Sequence, residues 1–143
     1  MSPSLSLIPA QLIAVYEQSN YLVFSDPQCC LTIGQTSAEL LALYQKHKVA
    51  GAVFISACNP RSECQSDSEN ARLNLALETE LRALSSPFYP AEGRDPKGIW
   101  PSESSFLVMG LALDVGAQLG RQYGQNAILC CSKDSLVELV LLR

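Results

Sequence analysis

The stretch "AGAVFISAC" (residues 50–58) is apolar at both alternating sets of positions, and its reading decides the fold. A strand with one wet face alternates apolar and polar residues. One that does not alternate is covered on both faces and lies inside its sheet. The run therefore predicts a sheet with layers packed on both sides, and 143 residues are enough for one such domain.

Working outward, "SFLVMG" (105–110) reads as a second core strand, and "NAILCC" (126–131) with "LVELVLL" (136–142) as a closing pair around Lys133 and Asp134. Upstream, "YLVFS" (21–25) and "LTIG" (31–34) suggest a hairpin turning at Asp26 and Pro27. Between the two core strands, "SSPFYPAEGRDPKGIWPSE" (85–103) is dense in Pro and Gly. It predicts a turn-rich excursion with one short edge strand at "FYPAE" (88–92).

Four helices fill the intervals. Residues 9–18 open on Pro9 and place Leu12, Ile13 and Tyr16 on one face. Thr36 and Glu39 have capping-box spacing ahead of a helix to residue 48, and Ser66 and Glu69 ahead of another to residue 84. The latter carries a stripe of Leu73, Leu77, Leu81 and Leu84. Asp114 is a candidate N-cap for a helix with Val115, Leu119 and Tyr123 on its face, ended by Gly124 in a left-handed conformation. The predicted class is α+β, a single domain over residues 1–143 with one mixed sheet and helices packed on it. "LTIG"–helix–"AGAVFISA" and "FLVMG"–helix–"NAILCC" share an order, which suggests an internal strand–helix–strand duplication.

Composition narrows the function classes. With 48% hydrophobic and 17% charged residues, disorder is disfavoured. A net charge of −4 argues against extended nucleic-acid or anionic-membrane binding, both of which need a basic face. The first fifteen residues, "MSPSLSLIPAQLIAV", show no positive charge before their apolar stretch and no cleavage site, so a cytoplasmic protein is expected. Six cysteines occur as two adjacent pairs, 29–30 and 130–131, and two singles, Cys58 and Cys64, beside one histidine, His47. That spacing suits neither a disulfide framework nor zinc, so no metal and no cofactor is expected and most thiols are read as small buried hydrophobes.

From Ala52 onward the chain resembles the bacterial family catalogued as domain of unknown function 3293. The resemblance rests on "SACNPRS" (56–62), "SENARLN" (68–74), "GRDPKGIWPSESSFLVMG" (93–110) and "LGRQYGQNAIL" (119–129), and the family-like core extends over about residues 31–142. The family pattern falls here on Asn59, Pro60 and Ser62; Asn70; Trp100, Glu103 and Ser105; and Tyr123, Gly124 and Gln125, with Cys58 where an aromatic is common. It implies which residues belong together and leaves the chemistry to their types.

Those types suit recognition of a small polar ligand. Asn59, Arg61 and Ser62 follow the core strand, Asn70 starts the helix behind it, Glu103 and Ser105 lead into the next strand, and Gln125 sits between helix and strand. Amides offer both donor and acceptor, as a nucleobase edge requires; Arg61, Arg72, Arg94 and Lys97 are candidate phosphate counter-charges; Trp100 is a candidate wall. Each residue also has a structural reading: Asn59–Pro60 as a strand stop, Gln125 paired with backbone, Trp100 as packing, and Glu103 as a loop anchor. Glu103 is the candidate catalytic group, because a carboxyl desolvated beside a Trp suits acid–base work. Three functions fit these residues: a nucleotide-like ligand site, a Glu-dependent hydrolase or transferase, and a non-catalytic protein-interaction module.

Overall fold

The computed structural model describes residues 6–143. Among these, seven strands form one sheet: β1 (Asn20–Val23), β2 (Cys29–Leu31), β3 (Ala52–Ser56), β4 (Phe88–Arg94), β5 (Glu103–Met109), β6 (Ala127–Cys131) and β7 (Val137–Leu141). Their order is β2-β1-β4-β5-β3-β6-β7. The α+β class stands, but every pairing is antiparallel, so the sheet is not mixed. Helices α1 (Ala10–Gln18), α2 (Ala38–His47), α3 (Asp67–Ala83) and α4 (Leu113–Gln122) pack on it. None of the described helices is long and apolar enough to cross a membrane.

Strand β3 is interior and buried on both faces. Ala52 and Phe54 join a core with Leu40, Leu43 and Tyr44 of α2, Leu107, Leu129 and Val137. Val53 and Ile55 join the opposite core with Leu77 and Leu81 of α3, Phe106, Val108 and Leu119 of α4. The sheet curls on the α2 side until its edges meet. Gly34 N–H donates to the Val137 carbonyl (2.8 Å), and Val137 N–H to that of Gln35 (3.0 Å).

Several local expectations change. The hairpin's second strand is Cys29–Leu31 rather than 31–34. The N-cap of α2 is Ser37, not Thr36: its hydroxyl accepts from Leu40 N–H (3.1 Å), while its own N–H is held by Ser135 Oγ (2.8 Å). A tertiary partner thus takes the bond that a capping box assigns to glutamate. The N-cap of α4 is Ala112, with Asp114 inside the first turn. The α3 stripe buries Leu77 and Leu81, whereas Leu84 at its end is exposed.

The largest change concerns 88–92, which is part of the interior strand β4, between β1 and β5. Proline is tolerated there because the Pro90 carbonyl faces β1 and accepts from Phe24 N–H (3.0 Å), one residue past the end of β1. Its missing N–H therefore falls where that ladder has stopped. The two strand–helix–strand units are not equivalent, which gives the duplication no support. From β5 to β6 the chain crosses one strand, from β2 to β3 it crosses three, and α2 and α4 lie on opposite faces.

Of the cysteines, Cys29, Cys58 and Cys131 are buried and Cys130 partly so, which fits the hydrophobe reading. Cys30 and Cys64 are exposed and fall outside it.

Candidate functional site

The polar loop leaving β3 is held in an uncommon backbone path. Asn59, Arg61 and Ser62 all take left-handed φ, +47°, +58° and +59°. Each such residue costs about 1–2 kcal/mol relative to an ordinary conformation, so the surroundings must impose the path. They do so with Arg61 N–H donating to the Gly124 carbonyl (2.8 Å) and Ser62 N–H to that of Asn59 (2.7 Å). Gly124 is required twice over: its φ is +65°, and a Cβ there would sit 3.1 Å from Pro60 Cβ. The turn after α4 thereby fixes the turn after β3.

Asn59 is the hub. Its Nδ2 donates to Glu103 Oε2 (2.9 Å), its Oδ1 accepts from Gln65 N–H (2.9 Å) and Asn70 Nδ2 (2.8 Å), and its own N–H donates to Asn70 Oδ1 (2.9 Å). Two backbone N–H donors and a carboxylate leave no freedom in which end of either amide is oxygen. A second cluster faces it. Tyr16 OH and Ser62 Oγ share a hydrogen bond (2.7 Å), and Asn126 Nδ2 donates to both, at 3.0 and 3.3 Å. Arg143 Nη1 fixes Asn126 by donating to its Oδ1 (2.9 Å).

Between the clusters lie two neighbouring cavities of about 80 Å³ each, with Tyr16, Tyr21, Asn59, Ser62, Gly93 and Glu103 lining both. Ser105 and Gln125 line the first, and Trp100, at the mouth, lines the second. Space of that size holds several waters or a molecule of a few heavy atoms, well short of a typical drug-sized pocket.

Glu103 stands at the junction. Burial pushes its carboxyl above the usual carboxylate range, and the Asn59 hydrogen bond pulls it part of the way back. Its Oε1 receives no hydrogen bond from any described residue. Glu103→Gln keeps an acceptor for Asn59 and removes the ionisation. A raised folded pKa supports stability that is present below the unfolded carboxyl's pKa and lost as pH climbs through the folded one. The variant should therefore melt higher than the parent at about pH 7.5, by about 1 kcal/mol or roughly 3–5 °C. The gap should close near pH 4, and thermal melts across that range would show it; a parent that melts higher at neutral pH would contradict it.

The sequence candidates divide between the cavities and their surroundings. Asn59, Ser62, Glu103, Ser105 and Gln125 meet at the first cavity, with Ser105 Oγ turned back to the Glu103 carbonyl (3.2 Å). Asn70 stands one bond behind Asn59 and touches neither cavity. The Arg61 side chain is exposed, and that loop contributes its backbone. Tyr123 packs on the core as expected, with its hydroxyl donating to Glu80 of α3. Sequence reasoning missed Tyr16 and Asn126 as site groups. It also missed Asp95, whose carboxylate gathers the N–H groups of Lys97, Ile99 and Trp100 and so shapes the mouth. Those backbone bonds, that from Lys97 foremost, hold the Asp95 carboxyl below its usual range.

A curled antiparallel sheet with four helices packed on it and a carboxylate–amide cluster beside two small cavities defines a small α+β domain. The chain belongs to the family described as "Protein of unknown function (DUF3293)", whose model matches residues 55–128, just over half of the 143. The match is shorter than the span expected from sequence, yet contains Asn59, Asn70, Trp100, Glu103 and Gln125. No curated protein and no solved structure matches the chain.

Proposed function

We propose that the domain binds a small polar molecule in the cavities beside Glu103. The observation that carries this reading is the Glu103 carboxyl itself, partly withdrawn from water with one oxygen unpaired where the two cavities meet. A polar group that is costly to the free protein is a common mark of a binding site, because a guest that completes its bonds recovers the loss.

The nucleotide-like class narrows on the same geometry. A whole nucleotide exceeds cavities of about 80 Å³, and the four expected phosphate counter-charges do not serve it: Arg72 pairs with Glu69 (2.6 Å) and Arg94 with Glu92 (2.8 Å), while Arg61 and Lys97 line neither cavity. A compound of a few heavy atoms, or the polar head of a larger one, remains. In a thermal-shift screen of small polar metabolites against the full chain, a true ligand at about 100 times its Kd should add about 2.7 kcal/mol of stability. If a broad library left the melting temperature unchanged, the reading would fail.

The raised Glu103 pKa also favours a second reading, in which this carboxyl donates or accepts a proton in a hydrolytic or transfer reaction. Any turnover detected with a bound compound should then vanish in Glu103→Gln while that compound still binds.

A further inference from the structure

Given a binding site beside Glu103, the hydrogen-bonding balance of the first cavity bears on which small polar molecule it takes. Gln125 is buried and lines the cavity. Its amide nitrogen donates to two carbonyls, those of Cys58 (3.1 Å) and Tyr123 (3.3 Å), so the nitrogen must face them and the oxygen must be turned from them. Gln125 Oε1 receives no hydrogen bond from any described residue, and neither does Glu103 Oε1. The cavity thus offers two open acceptors, one of them on an ionisable carboxyl.

Donors are fewer. Asn126 spends both amide protons on Tyr16 OH and Ser62 Oγ, and one of these hydroxyls donates to the other. A single hydroxyl proton is left over from the pair. No Lys or Arg side chain lines this cavity, and the one lining its neighbour, Arg94, is bonded to Glu92. An anionic guest would meet the Glu103 carboxylate with no lining cation to offset it, and like charges in a partly dry site repel. The remaining wall is apolar and partly aromatic: Ala127, Ile128, Leu129 and Leu139 line it beside the rings of Tyr16, Tyr21 and Phe54, and aromatic rings near a cation attract it.

We propose that this cavity takes the head of a small organic cation, an ammonium or guanidinium group, with Glu103 Oε1 and Gln125 Oε1 as its acceptors; the proposal rests on the polar-ligand reading of the site. Such a head supplies two or more N–H donors to two acceptors and a charge to the carboxylate. Its few heavy atoms suit a space of about 80 Å³. The leftover hydroxyl proton serves one acceptor farther along the same molecule.

Methylguanidinium and methylurea test this directly, because they share shape and size and differ in charge. Each is titrated into the ¹⁵N-labelled full chain at matched ionic strength and followed by amide NMR. The expected result is shifts confined to the amides of Glu103, Ser105, Gln125 and Asn126 and the Asn59 side-chain NH₂. The Kd for methylguanidinium should be at least about 10-fold below that for methylurea, a difference of about 1.4 kcal/mol. In Glu103→Gln, whose own spectrum reports that it is folded, the preference should fall to about 1-fold. Equal or tighter binding of methylurea, or an unchanged preference in the variant, would overturn the cation while leaving a polar-ligand site in place. Absence of shifts at these residues with either compound, and with the metabolite library, would remove both.

Discussion

Asn59→Ala should cost the domain about 3–4 kcal/mol, read as a lower urea midpoint at unchanged slope. Three side-chain hydrogen bonds go with the amide: to Glu103, from Gln65 N–H and from Asn70. Each is worth about 1 kcal/mol net, and alanine at a φ of +47° adds about 1 more. The effect is large against a total stability of roughly 5–15 kcal/mol. Two companions separate its parts. Asn59→Gly restores backbone freedom without the amide and should recover about 1 kcal/mol relative to alanine. Asn59→Asp tolerates the same backbone and keeps the acceptors, but sets a second carboxylate within bonding reach of Glu103. Two such groups hold one proton between them, so the aspartate variant should be most impaired near neutral pH and recover towards acid. If alanine were tolerated within about 0.5 kcal/mol, Asn59 would be an ordinary strand stop and the hub would lose its meaning.

How much of the fold was legible in the sequence depends on whether a feature is local. The unbroken apolar run at 52–55 announced a strand covered on both faces, because burial on both sides removes the need for alternation. The Ser66 cap of α3 and the left-handed Gly124 were equally readable, since each is set within a few residues. The interior place of β4 was not. Proline argues for an edge until one knows that Pro90 lies past the end of its neighbour, a fact about strand lengths elsewhere. Strand direction was hidden for the same reason: antiparallel order depends on which strands become neighbours, and β3 pairs with β5 and β6 rather than with anything adjacent in sequence.

The site divides along the same line. Asn59, Glu103 and Gln125 were visible as polar residues stranded at the ends of apolar runs, where an unpaired amide or acid calls for an explanation. Tyr16 was read as an inward helix residue, and nothing nearby indicated that its hydroxyl meets Asn126, 110 positions away. Charge makes Arg61 a candidate, whereas its loop contributes a strained backbone with the side chain outside. Composition could name the chemistry but not the side of the loop that supplies it.

Gly116→Val should be the other severe variant, at about 3–4 kcal/mol, and it concerns a face of α4 that hydrophobic spacing concealed. Val115, Leu119 and Tyr123 form the expected stripe and all three pack on the core, but the buried positions are Gly116, Leu119 and Gly120. Glycine inside a helix ordinarily costs about 1 kcal/mol against alanine, so propensity alone predicts that filling these positions stabilises. Space decides otherwise at Gly116. A Cβ there would lie 2.9 Å from Val53 Cγ1 and 3.2 Å from Cγ2. Val53 is fully buried and β-branched in an interior strand, so it has little room to turn. Overpacking costs typically about 1–3 kcal/mol, which leaves Gly116→Ala about 1 kcal/mol worse than the parent. Valine adds two methyl groups to the clash and gives up most of the helix gain. Gly120→Ala is the internal control: its clash at 2.5 Å is with Leu142 Cδ1, the end of a flexible side chain next to the last residue, though Ile128 Cγ2 at 3.0 Å limits the relief. The expected order of loss is therefore Gly116→Val, then Gly116→Ala, then Gly120→Ala near neutral, measured by urea unfolding. The same helix runs directly into Gly124 and Gln125, so lifting it from β3 should also shift the Gln125 and Asn126 amide resonances. A more stable Gly116→Ala with those resonances unmoved would mean that α4 does not set the height of that wall of the cavity.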